Sequence, residues 1–242
     1  MWLSSNKYNM NVQELSISPI AHSDTLNPKL WDNDTLIPEV RLQLMKIARH
    51  FADFLNVQKL NLRDITISGS NAGYGYSEYS DIDLHLVVDM PKDRPELAEL
   101  YTAKKNQYNF TYNIKIKGID VELYVQDNKQ VHHSAGIYSV LNNKWLSEPK
   151  NTAPTINPSE IKSKARNYAG RINQALKSKD LNTARETMDN IRRLRQAGLE
   201  AGGENSVENL AFKLLRARGQ IDKLHKHITN LQSAELSIGE QK

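Results

Sequence analysis

Two pairs of acidic residues, each set into an otherwise apolar run, are the residues of this chain whose types and spacing point most directly to chemistry. In "DIDLHLVV", Asp81 to Val88, alternation puts Ile82, Leu84, Leu86 and Val88 on one face and Asp81, Asp83, His85 and Val87 on the other. In "IDVELYV", Ile119, Val121, Leu123 and Val125 face one way and Asp120, Glu122 and Tyr124 the other. If the two strands lie near each other in one sheet, three or four carboxylates converge. Like charges repel and burial raises their cost, so such a cluster persists only if cations bind or some of the acids keep their protons. Hard oxygen donors of this kind suit magnesium or manganese. Two such ions ~3.5–4 Å apart stabilise the attacking and leaving oxygens of an in-line phosphoryl displacement.

The segment before the first pair, "SGSNAGYGYSEYS", fits that chemistry. Gly69 lets a phosphate approach the backbone closely, and Ser70 offers a hydroxyl beside loop amides that form a nest for an anion. Gly69, Ser70 and, at the far end of the loop, Ser80 are therefore the expected nucleotide-binding residues. Tyr74 and Tyr76 stack on a base or an acceptor, or else pack the loop itself. His85 contacts substrate or a metal-bound water, or is a hydrogen-bonded strand histidine. His132 and His133 are adjacent and point apart in extended chain, and His225 and His227 do not share a helix face, so neither pair makes a joint metal site.

These residues need a sheet and supporting helices to position them. From Pro38 to Leu55 apolar residues recur at helical spacing, and "RDITIS", Arg63 to Ser68, is a short β-branched strand leading into the loop. "MPKDRPELAELYTAKKNQ" reads as a turn and a short helix. "FTYNIKIKGIDVELYV", Phe110 to Val125, reads as a hairpin reversed at Lys117 and Gly118. Residues 1–35 form an irregular arm. After "SEPKNTAPTINPSE" helix formers dominate, which places a domain boundary near Lys150, with residues 1–150 catalytic and 151–242 helical. Three helices follow: from Pro158, capped by Asn157, to about Ser178; from Asp180 to about Gln196; and from about Val207 to Leu231. The fold class is α+β, a short mixed sheet flanked by helices, with a C-terminal helical bundle that forms the other wall of a cleft.

"SGSNAGYGYSEYSDIDLHLVV" resembles the signature of the DNA polymerase β nucleotidyltransferase superfamily: Gly-Ser after a strand, about ten residues, Asp-apolar-Asp, and a third carboxylate on a later strand. It is most similar to small phage-encoded members with a helical tail. The resemblance covers roughly Ile65 to Val125 and implies transfer of a nucleoside monophosphate from an NTP, such as ATP, to a hydroxyl, with pyrophosphate leaving. It implies Gly69 and Ser70 as the phosphate-holding pair and Asp81 and Asp83 as metal ligands for Mg2+ or Mn2+. The third acid is Asp120 or Glu122; Glu122 is preferred, because "VEL" fits the apolar-acid-apolar pattern and Asp120 sits nearer the turn. In that role Glu122 helps activate the acceptor hydroxyl. Three acceptors stand open: an RNA 3′ end such as that of tRNA, a protein hydroxyl as in toxin–antitoxin nucleotidyltransferases, or a small molecule. An inactive RNA-binding or interaction protein is the alternative from another class.

Composition narrows the field further. At 242 residues with 39% hydrophobic residues, 25% charged and a mean hydropathy of -0.61, the chain is expected to form one or two soluble domains. It has no run of ~18 apolar residues, and its N-terminus lacks a signal-peptide pattern, so no membrane role and a cytoplasmic location are expected. The absence of cysteine removes thiolate nucleophiles and disulfides. No Walker-type or Gly-x-Ser-x-Gly motif occurs, which leaves little support for a P-loop kinase or a serine hydrolase. Charge is uneven: Lys150 to Leu231 holds 16 Lys and Arg against 8 Asp and Glu, whereas Met1 to Pro149 holds 15 against 18. Arg192 and Arg193, with Arg185, Arg195, Lys213, Arg216 and Arg218, are candidates for a triphosphate tail or an RNA backbone, or else form a solvated helix face.

Overall fold

The computed structural model describes residues 22–56, 60–91, 93–130, 134–152 and 157–238. The chain divides into two compact units, one of residues 21–154 and one that contains the helices from residue 158 onward. His132 and His133 and most of the N-terminal arm fall outside the described residues.

The first unit is α+β. Strands β1 (Trp31–Asp32) and β2 (Thr35–Leu36) form a small hairpin. Helix α1 (Pro38–Leu55) follows, with Pro38 in its first turn and Asn56 closing it in a left-handed conformation. It buries Val40, Leu44, Ile47, Ala48, Phe51 and Leu55, the stripe its period predicts. Strand β3 (Leu62–Ser68) leads through the glycine loop into β4 (Ile82–Val88). Helix α2 (Glu96–Thr111), the short β5 (Lys115–Ile116), β6 (Ile119–Asp127), β7 (Ile137–Ser139) and β8 (Lys144–Ser147) complete the unit. The sheet order is β5-β6-β4-β3-β7-β8, with β4 parallel to β6 and the other pairs antiparallel. Ile82, Leu84, Leu86, Val121 and Leu123 point into one core with the buried side chains of α1 and with Leu97, Tyr101 and Tyr108 of α2.

Two sequence expectations change here. The hairpin reversed at Lys117 and Gly118 is present, both residues at positive φ, but its first strand begins at Lys115 rather than Phe110. Phe110 and Thr111 belong to α2, because burying Tyr108 on the face of Tyr101 prolongs the helix. Phe110, its β-favouring neighbour, stays 94% exposed.

Among the described residues the second unit holds four α-helices rather than three: α3 (Pro158–Lys177), α4 (Leu181–Gly202), α5 (Val207–Ala217) and α6 (Gln220–Leu236). Asn157, Asp180 and Ser206 cap the first three with their side chains. The expected single helix from Val207 splits at Gly219, whose φ of 66° is the left-handed geometry that ends helices. Helix α4 continues six residues past Gln196 to Gly202. Ile161, Tyr168, Ile172, Met188, Ile191, Leu214 and Leu224 build a separate core. No helix of the described residues is long and apolar enough to cross a membrane.

Candidate active site

The site is assembled by register. Strand β4 lies between β3 and β6, so Asp83 stands opposite Ser68 on one side and opposite Glu122 on the other. Because side chains alternate along a strand, Asp83 and Glu122 share the face turned away from the core, while Leu84 and Leu123 fill it. Asp81, one residue before β4, reaches the same face. Asp81, Asp83 and Glu122 each offer a carboxylate oxygen, all within 4.8 Å of one another, and all three residues are half-buried. Oxygens around one Mg2+ at ~2.1 Å lie up to about 4.2 Å apart. The cluster therefore needs only a small contraction to hold a hard divalent cation, and its donor set is the one such ions prefer.

Of the two acids of the second strand, only Glu122 joins the cluster. Asp120 is exposed and its Oδ1 accepts from Lys115 Nζ at 2.5 Å across the β5–β6 hairpin. It stands outside the cluster, because the alternation that aligns it with Glu122 also carries it to the sheet's edge at the turn.

Gly69 makes room for a neighbouring side chain. Its backbone, at φ 74° and ψ -164°, lies in a region open essentially to glycine. A β-carbon there would sit 2.0 Å from Asp83 Oδ2. The missing side chain is the space that the Asp83 carboxylate occupies. The Gly69 amide donates to Ser134 Oγ at 2.9 Å, and Ser134 Oγ donates to the Gly136 carbonyl at 2.9 Å. That amide is therefore engaged within the protein. Gly136 in turn packs on the loop, where a β-carbon would meet the Ala72 carbonyl at 2.0 Å.

Serines 70 and 80 bridge the two ends of the loop: Ser70 Oγ donates to Ser80 Oγ at 2.9 Å, which also accepts from the Ser77 amide. Asn71 does more to fix the loop than either. Fully buried, it donates from Nδ2 to the Asp81 carbonyl at 2.8 Å and accepts at Oδ1 from Asn27 Nδ2 at 2.8 Å; its carbonyl accepts from Trp31 Nε1 at 2.8 Å. Asn71 thus ties the backbone beside the first metal-ligand candidate to the segment before α1. Asn109 does the same for the second strand. Its side-chain amide donates to the Leu123 carbonyl and accepts from the Leu123 amide, both at 3.0 Å, as a neighbouring strand would. Helix α2 thereby holds β6 at the residue between Glu122 and Tyr124.

The remaining expected residues separate. Tyr74 is half-buried, packs on the core beside the His22 ring and accepts from the Ser23 amide at its carbonyl. Tyr76 is half-buried in the same loop. His85 stacks on Tyr124, with ring centroids 4.9 Å apart and planes at 17°, and its Nε2 lies 2.9 Å from Ser68 Oγ. Tyr124, unmarked in the sequence reading except as facing the acids, lies against them. Burial first, then the charges of Asp83 and Glu122, push its phenol well above the ordinary range. Arg192 and Arg193 lie on α4 in the helical unit, exposed and engaged with Asp189 and Asn190 of the same helix.

Comparison with known proteins adds little. No family model matches the chain, and no curated protein matches it. Among solved structures the chain is similar to the STING-associated CdnE c-di-GMP synthase from Capnocytophaga granulosa, at 16% identity over 94% of this chain and 89% of that one, with a TM-score of 0.23. A superposition that loose carries no argument, and the functional reading rests on the site itself.

Proposed function

We propose that this protein is a metal-dependent nucleotidyltransferase that moves a nucleoside monophosphate from an NTP to an acceptor hydroxyl. The observation that carries the reading is the meeting of Asp81, Asp83 and Glu122 on neighbouring parallel strands, directly after the Gly69–Ser80 loop. Mg2+ or Mn2+ held there supplies charge neutralisation for the triphosphate and for the attacking and leaving oxygens. Asp81 and Asp83 are ligands, and Glu122 is both ligand and acceptor of the proton lost by the attacking hydroxyl. A bond forms between that oxygen and the α-phosphorus, the bond from the α-phosphorus to the bridging oxygen breaks, and pyrophosphate carries away the electron pair. Ser70 and Ser80 hydroxyls orient the phosphates.

The acceptor we favour is an RNA 3′ end, on the strength of the basic excess between Lys150 and Leu231. Each labelled NTP is incubated with Mg2+ or Mn2+ and with tRNA, total RNA or protein. Label on RNA supports this acceptor; label on protein or on a small molecule keeps the reaction and replaces the acceptor. RNA binding without any NTP use would replace the enzyme by a binding protein. If Asp81→Asn combined with Asp83→Asn leaves labelling unchanged, the reaction is not carried by this site.

A further inference from the structure

Below the carboxylates, one register step along the same two strands, lies a layer that the proposed chemistry does not use. His85 is paired with Tyr124 just as Asp83 is paired with Glu122, so the two rings are stacked immediately beside the acids. Ser68 Oγ, opposite Asp83 on β3, contacts His85 Nε2 at 2.9 Å and fixes that ring in its plane. The Lys105 ammonium, from α2, sits 4.8 Å from the centroid of the Tyr124 ring, a cation–π contact. The backbone on the N-terminal side of Tyr124 is held as well, since Asn109 bonds both polar groups of Leu123. The Tyr124 ring is thus held by a histidine, a lysine and a pinned backbone, on the same face of β6 as Glu122 and two residues along from it.

We propose that Tyr124 is a positioning residue for the metal site: its phenol, aimed by the His85 stack and Lys105, donates to Glu122 and fixes that carboxylate where it ligates a divalent cation together with Asp81 and Asp83. Glu122 needs such a partner more than the aspartates do. Its longer side chain has an extra rotatable bond, and ordering it costs more conformational entropy. Asp83 is confined by the space at Gly69, and the backbone beside Asp81 by the Asn71 bonds. A hydrogen bond to a ligating carboxylate from outside the metal shell typically accounts for 10–100-fold in metal affinity or activity.

This inference rests on the reading of the three acids as a metal site, and the test separates the two. Tyr124→Phe keeps the ring, its stack on His85 and its contact with Lys105, and removes only the hydroxyl. Binding of Mn2+ to the full chain is measured by electron paramagnetic resonance titration, for the wild type, Tyr124→Phe and Asp83→Asn, with Tm recorded for each. The expected result is Mn2+ binding weakened about 10–100-fold in Tyr124→Phe, at an unchanged fold. Where transfer activity is measured, the apparent KM for metal rises while kcat at saturating metal is largely kept. A merely structural tyrosine would lower Tm and leave the affinity of the folded protein intact. Wild-type Mn2+ affinity in Tyr124→Phe, with binding lost in Asp83→Asn, overturns the positioning role and leaves the metal site standing. Mn2+ binding that Asp83→Asn does not change overturns both.

Discussion

Replacing Gly69 by alanine tests the geometry of the site with a single methyl group. Two costs combine. The backbone at φ 74°, ψ -164° is closed to residues with a β-carbon at a cost of about 1–3 kcal/mol. The new β-carbon would also lie 2.0 Å from Asp83 Oδ2, so one of the two must move by about 1.5 Å to regain an ordinary separation of ~3.5 Å. For a unit of this size about 3–4 °C of Tm accompanies each kcal/mol, so a fall of about 3–12 °C is expected by thermal denaturation. Activity should suffer more than stability, because a displacement of about 1 Å in a catalytic group costs on the order of 100-fold. The control is Gly75→Ala in the same loop, where a β-carbon meets nothing within 4 Å and φ is not in the left-handed region. Nucleotide transfer and Tm are compared across the wild type and both variants. If Gly69→Ala matches Gly75→Ala in both, Gly69 is not the space that seats Asp83, and this account of the loop is wrong.

Two further outcomes follow from the packing. Asn109→Ala should leave the Leu123 amide and carbonyl without their partner, destabilise the first unit by about 1–3 kcal/mol and weaken metal binding through β6; equal Tm and Mn2+ affinity to wild type would refute the latch. In the helical unit, Lys164 Nζ bonds Glu208 Oε1 at 2.9 Å, and the hydrogen bond to Lys164 is the main cause holding the Glu208 carboxyl below its ordinary 4.5. The folded-state pKa is the depressed one, so the stabilisation is fully present above the unfolded value and is lost as pH falls through the native one. Acid titration of Tm should therefore be flatter below about pH 4.5 for Glu208→Gln than for wild type, and coincident curves would remove the ion pair from the account.

How much of this was legible beforehand depended on whether a residue acts through its own pattern or through a distant backbone. The stripe of α1, the alternation of β4 and β6, and the mixed α+β architecture follow from local periodicity, and the structure contains them. Asp83 and Glu122 were readable because each breaks an apolar run on its polar face. Their adjacency depends on the parallel pairing of β4 with β6, which no local signal states. Asn71, Asn109 and Ser134 escaped notice because an asparagine or serine in a loop or helix looks the same whether it meets solvent or a backbone group 14 or 65 residues away. Strands β7 and β8 are three and four residues long, too short for alternation to register. The break at Gly219 had a signal in the glycine itself, outweighed by apolar residues that keep the helical period on both sides. The strand expected from Phe110 failed for the opposite reason: aromatic and β-branched composition misled where the burial of Tyr108 decided.

The central claim, that the three clustered carboxylates hold a divalent cation and carry nucleotide transfer, is tested most directly by pyrophosphate release. Each of the four NTPs is incubated with wild type and with Asp83→Asn, with Mg2+, with Mn2+, and after chelation. The account predicts release from at least one NTP by wild type only when the metal is present, and its loss in the variant, whose Tm stays near that of wild type. Release that survives chelation, or that Asp83→Asn retains in full, would contradict it.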